Sequence, residues 1–422
     1  MDIFNVYVET MAFALIVILS YFFNYLSLKT KIPSILFLIG LGIGVQALIN
    51  KYEVSLSIYI QELLDILGIV GLIIIILEAS FELRINREKK SLLITSFLSS
   101  FISLILTTLG IAWLLSTFMI HDMVKALFYA IPLGIISSEI VLPGVANLVQ
   151  AKKEFLIYES TFSGILGIIF FYILLGSVEE QGTTTKIVGI SGHIVLTLII
   201  SLLVSYLLVW LLQWLKLKEK LFFLIAILVF LYSIAKMLNL SALLIILVFG
   251  LLLNNYGLFF RGKLQGLIQK KVLKSITGDF QVVTKETSFL IKTFFFVIFG
   301  MTLQFKGFYT PETLYIVATS LVVIYFIRFI MLKAIVRKKV VPGVWIAPRG
   351  FISVLLFFSI PPLFTDEGFN SIILLAIILA SSLIMFSGLI WGKNDRREFN
   401  ELSFDDWDQL DKEIKILNRD MP

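Results

Sequence analysis

The sequence predicts an all-α polytopic membrane protein with about 13 transmembrane helices, and three observations carry that reading. Of its 422 residues, 59% are hydrophobic and 15% charged, against roughly 45–50% and about 25% in soluble globular proteins. Mean hydropathy is +0.98. Apolar runs of about 20 residues recur from end to end, each long enough to cross a hydrocarbon core of roughly 30 Å as a helix.

Hydropathy and turn signals place the spans at 7–27, 32–49, 63–83, 91–118, 124–149, 155–177, 192–214, 220–238, 241–257, 285–304, 312–335, 341–361 and 369–391. Residues 1–6 lack the basic flank of a signal peptide and include Asp2, so the first span is expected to be retained with its amino end outside. Odd connections are then cytoplasmic, and the basic residues agree. Twenty lie in odd connections, among them Arg84, Arg87, Lys89 and Lys90, against five in even ones: Lys51, Lys125, Lys186, Lys236 and Lys306. The expected location is the plasma (inner) membrane, multi-pass, with the amino terminus outside and the carboxyl terminus cytoplasmic.

Residues 1–392 read as the transmembrane domain and 393–422 as a short cytoplasmic tail. In the tail Phe404, Trp407, Leu410, Ile414 and Leu417 recur at near-helical spacing. Residues 258–284 mix Arg261, Lys263, Lys270, Lys271 and Lys274 with Leu264, Leu267 and Ile268, the pattern of an interfacial helix.

Zero cysteines exclude a disulfide framework and thiolate metal sites, and the two histidines, His121 and His193, fall near predicted loops. No cofactor is expected, and no metal beyond a transported ion. The net charge of +6 is scattered between apolar segments, which fits membrane orientation rather than nucleic acid. No Walker sequence or nucleophile–histidine set is present, so an enzyme is not expected and ion gradients are the energy source.

Charges inside the spans cost roughly 2.5–3.5 kcal/mol each at a helix centre, so they usually face a partner or a water-filled path. Here they are Glu78, Glu139 and Glu159 against Lys292, Arg328 and Arg349. Two spans are also punctuated. The fifth carries Pro132, Gly134, Ser137, Ser138, Glu139, Pro143 and Gly144; the twelfth carries Pro342, Gly343, Pro348, Arg349 and Gly350. Proline removes a backbone donor and clashes with the preceding turn, so both spans are expected to be interrupted. They stand seven apart in order and run oppositely, as an inverted repeat of spans 1–6 onto 8–13 requires. Interrupted helices at corresponding positions mark a midplane binding site in secondary transporters.

Several segments together resemble the monovalent cation:proton antiporters, in particular the NhaP-like sodium/proton exchanger branch. They are Lys31-Ile32-Pro33 with Leu36 to Gly44; Leu77-Glu78 through Phe81-Glu82-Leu83; Leu240-Ser241 through Gly250 to Asn254; Phe294 to Gly300; and Ala347-Pro348-Arg349-Gly350. The resemblance implies two inverted six-helix repeats, broken helices 5 and 12 crossing at the midplane, and a homodimer in membrane lipid. It matches Glu159 and Arg328 to a structural ion pair of that branch. One departure is plain: five residues after Glu159 the usual ion-binding aspartate is replaced by Gly164, although the preceding Ser163 stays polar.

The expectation is a secondary active transporter exchanging Na+ or K+ for H+ by alternating access. Glu139 is the titrating carboxylate, with Ser138 and Ser163, and further Ser137 and free carbonyls, as oxygen ligands for a hard cation. Gly164 is expected to leave room for the Glu139 chain. Lys292 and Arg349 balance charge. Glu78, near a helix end, is expected to snorkel. The alternative is a transport-inactive or altered-substrate homologue of the same fold, acting as a sensor or assembly partner.

Overall fold

A computed structural model describes residues 3–30, 34–52, 70–71, 73–85, 89–146, 148–179, 186–214, 220–237, 242–260, 266, 268–303, 310–336, 341–366 and 368–391. The tail helix expected within 393–422 lies outside the described residues. Among the described residues all regular structure is helical. In chain order the helices are α1 (Ile3–Thr30), α2 (Ser34–Tyr52), α3 (73–82), α4 (Lys90–Phe118), α5 (Met123–Gly134), α6 (Ser138–Gly144), α7 (Gln150–Glu179), α8 (Lys186–Trp214) and α9 (Lys220–Met237). They continue with α10 (Ala242–Asn254), α11 (Tyr256–Phe259), α12 (Lys270–Thr302), α13 (Pro311–Val336), α14 (Phe351–Phe358) and α15 (Ser371–Trp391).

Among the described residues six helical segments are long and apolar enough to cross a membrane: Thr10–Ser27, Lys90–Phe118, Met123–Gly144, Gln150–Val178, Pro311–Ile335 and Ser371–Ile390. Four further apolar helices are shorter. This is a multi-pass membrane architecture. The basic stretch 270–284 does not form a separate interfacial helix: it runs on into the tenth span as α12, of 33 residues. The lone Gly278 does not stop a helix, and no proline intervenes. At 1.5 Å per residue α12 is about 50 Å long, so its charged first half extends past a hydrocarbon core of roughly 30 Å.

Helix α4 packs against α5, α7 and α13, while α2 lies along α12 and α8 along α10. The α2–α12 approach depends on glycine. A Cβ on Gly42 would stand 2.0 Å from the Val297 carbonyl oxygen, and one on Gly300 2.3 Å from that of Ile39. Small residues at such crossings let two backbones meet, which is how membrane helices gain packing without a hydrophobic drive.

Both punctuated spans are broken. The fifth divides into α5 and α6, separated by residues 135–137. Ile135 (φ −73, ψ 132) and Ser137 (φ −80, ψ 112) are extended. The twelfth enters as a 3-10 turn at Gly343–Trp345, runs without helix through 346–350, and resumes as α14. Pro348 disfavours helix at the residue before it, which accounts for the irregular chain at Ala347. The two breaks touch: Ser137 N donates to Pro348 O at 2.9 Å. Gly350 permits the contact, since a Cβ there would lie 2.3 Å from Ser137 Oγ and 2.7 Å from its Cβ.

Candidate functional site

Helix ends at a break expose carbonyls and amides that lipid cannot satisfy, so something in the protein has to. At the end of α5 this is Arg349, whose Nε donates to Leu133 O at 2.6 Å while its Nη1 donates to Ala347 O at 2.8 Å. A cation at a helix C-terminus also suits the helix dipole. Ser163 of α7 accepts from Ile136 N at 3.0 Å, and Ser381 of α15 accepts from Arg349 N at 3.0 Å. Arg349 therefore meets carbonyls and a hydroxyl at the break, and Lys292 is the cation on Glu139.

Glu139 stands in the first turn of α6. Its Oε1 contacts Lys292 Nζ, and the same ammonium donates to Glu78 Oε2 at 2.5 Å. Ser288, one turn before Lys292 on α12, also donates to Glu78 Oε2 at 2.5 Å. Ser138 Oγ donates to Glu82 Oε2 at 2.7 Å. The Lys292 ammonium lies 5.6 Å from the centre of the Phe351 ring, within cation–π range. Phe295 and Phe296 pack edge to face on the Phe351 ring, which joins α12 to α14.

Side chains in this cluster are largely but not wholly enclosed, with 24% of Glu139, 15% of Glu78 and 14% of Lys292 exposed. Glu78 does not snorkel: Lys292 and Ser288 hold it inside. Reading α3 as a helix places Glu78 and Glu82 four residues apart on one face, and Ser288 and Lys292 share the same spacing on α12. The sequence reading missed Glu82 and Ser288 as neighbours of this cluster, and the i, i+4 spacing on the two helices is the signal that points to them.

A second, drier cluster lies between α4, α7 and α13. Arg328 Nη2 pairs with Glu159 Oε2 at 3.1 Å, with 4% and 1% of the two side chains exposed. Ser99 Oγ donates to Glu159 Oε1 at 2.7 Å, and Arg328 Nε donates to Gly343 O at 2.9 Å, which ties the pair to the entry of the twelfth span. The room expected at Gly164 is taken up otherwise. A Cβ there would meet Ile352 Cδ1 at 3.0 Å, and the Glu139 chain does not come within 4 Å of that point.

In charge terms, Glu78, Glu82 and Glu139 face one ammonium, while Glu159 is matched by Arg328. Were all ionised, the first cluster would hold two uncompensated negative charges and the second none. Burying charge unpaired is costly. The carboxylate cluster is therefore a place where a proton or a small cation lowers the energy.

Crossing interrupted helices beside a largely enclosed carboxylate cluster define the chain as an ion-coupled secondary transporter of the membrane rather than an enzyme. A family model described as "Sodium/hydrogen exchanger, transmembrane" matches residues 12–391. The chain belongs to the sodium/hydrogen exchanger family, within the monovalent cation:proton antiporter superfamily. Two solved structures of the sodium proton antiporter MjNhaP1 from Methanocaldococcus jannaschii share its fold at 16% identity. One, with TM-score 0.65, covers 92% of this chain and 96% of that one. The other, from electron microscopy, has TM-score 0.64 and covers 96% and 100%. Comparison with curated protein sequences gave no match.

Proposed function

We propose that this cation:proton exchanger carries Na+ or K+ against H+ by alternating access, with Glu139 as the titrating carboxylate. One observation supports the reading above others: Glu139 shares a single ammonium, Lys292, with Glu78. A carboxylate held this way is open to competition. A proton neutralises it, a hard cation replaces the ammonium, and the two states exclude each other. Ser138, Ser163 and carbonyls of the fifth-span break complete the oxygen shell.

Lys292 and Arg349 balance charge, and Glu159 with Arg328 is a structural ion pair that braces the moving parts. Glu139 offers one carboxylate to the competing ions. It holds either one proton or one monovalent cation in turn, so exchange is one for one and electroneutral. The setting we infer is a homodimer in the plasma (inner) membrane, amino terminus outside and carboxyl terminus cytoplasmic, with lipid and no nucleic acid as partners.

Gly164, standing where the branch has an aspartate, favours a second reading: a transport-inactive or altered-substrate homologue serving as a sensor or assembly partner. Purified protein in liposomes carrying an internal pH dye separates the two. Pulses of Na+, K+ and Li+ are expected to move protons, and an organic anion is not. A preparation that responds to none of the cations would favour the second reading.

A further inference from the structure

The end of α3 is held by other helices. A helix leaves its last carbonyls without intrahelical donors, and α3 has no glycine beyond its end to close it. Asn254, the last residue of α10, supplies the donors: its Nδ2 reaches Phe81 O at 2.8 Å and Leu83 O at 2.9 Å. Asn255 Nδ2 donates to Leu83 O at 2.9 Å, and its Oδ1 accepts from Ile85 N at 2.7 Å. The contact continues to α12. Gln281 Nε2 donates to Asn254 Oδ1 at 2.9 Å, and Gln281 Oε1 accepts from Arg84 Nη2 at 2.8 Å.

Helices α3 and α12 are thus tied twice. One tie is Asn254 with Gln281 at the end of α3; the other is Glu78 with Ser288 and Lys292, about 10 and 16 Å further along α12 at 1.5 Å per residue. We propose that Asn254 is a positioning residue for exchange: by fixing the end of α3 on α12 through Gln281, it sets how Lys292 is divided between Glu78 and Glu139. This rests on the reading of Glu139 as the titrating group.

The consequence has a direction. With the Asn254 bonds lost, the end of α3 keeps only Asn255 and the Arg84–Gln281 contact, so α3 shifts along α12 and Glu78 loosens its hold on Lys292. The ammonium then falls to Glu139 alone. An incoming cation has to displace a fuller ion pair, so its half-saturating concentration rises while the turnover of the loaded carrier changes little.

The test uses the full chain in liposomes. Asn254→Leu and Gln281→Leu are each expected to raise the cation KM about fivefold, the scale of one lost hydrogen bond, with maximal rate little changed. Gln281 is only half-buried, so its variant remains informative if Asn254→Leu folds poorly. In a Glu78→Gln background, where Lys292 is already on Glu139, neither change should raise KM further. A KM rise that persists undiminished in that background, or an unchanged KM in folded protein, would overturn the proposal.

Because the chain lacks cysteine, a spin-label pair at Ile85→Cys and Val282→Cys reads the tie without transport. Its distance distribution should broaden in Asn254→Leu, and an unchanged narrow distribution rejects the tie. If Glu139→Gln still transports, the exchange reading fails while the label distances continue to judge the tie.

Discussion

Ser137 donates its backbone N–H to the carbonyl of Pro348 at 2.9 Å, joining the interruption of one span to that of the other. With Arg349 on Leu133 O, each break satisfies polar groups that the other leaves open. Neither half-helix has to present bare backbone to lipid. The paired breaks therefore behave as one unit, and Glu139, two residues after Ser137, is carried on it.

The closeness of that joint makes Gly350→Ala a sharp test. The added methyl would overlap Ser137 Oγ and Cβ, and Ile140 Cδ1 lies 3.2 Å away. Overpacking of this kind costs about 1–3 kcal/mol. Thermal unfolding of the detergent-purified protein should show a lower Tm, partly restored by Ser137→Gly in the same chain. Restoration is expected because that second change removes the two nearest clashing atoms.

Lys292→Met keeps the length of the side chain and removes the ammonium. Glu78, Glu82 and Glu139 then lie together with no cation. Their mutual repulsion should lower Tm below wild type, with added Na+ or K+ recovering part of the loss. A Tm equal to wild type, or one that added cation does not raise, would show that the ammonium does not compensate these carboxylates.

Breaking the dry pair at Glu159 and Arg328 should have a larger effect on folding than on ion competition. Arg328→Met leaves Glu159 with Ser99 alone, and an uncompensated buried charge costs about 3–5 kcal/mol. Arg328→Met with Glu159→Gln should cost less than the sum of the single changes. A double-mutant cycle on Tm or denaturant midpoint measures the coupling.

Much of the fold was legible because proline and glycine act locally. Pro132, Gly134 and Pro143 in one span, and Pro342, Pro348 and Gly350 in another, are enough to locate both interruptions. Lys292 was legible as a candidate neighbour of Glu139 because a charge inside an apolar run has to find a partner. Glu78 was misplaced for a different reason. Its closeness to a helix end is a property of α3, whereas its burial comes from Ser288 and Lys292, roughly 210 residues away. Arg349 was as good a partner for Glu139 as Lys292 by sequence, and only the packing of α5 against the twelfth span assigns it to Leu133 O instead. Gly164 shows the same limit, since the space beside it belongs to Ile352.

The central claim is that Glu139 carries the charge that protons and cations compete for. It is tested most directly by comparing wild type, Glu139→Gln and Glu139→Asp in liposomes with a pH gradient and Na+ or K+ pulses. The account predicts no cation-driven proton movement in Glu139→Gln, retained folding by Tm, and movement with altered cation KM in Glu139→Asp. Wild-type exchange rates in a folded Glu139→Gln protein would contradict it.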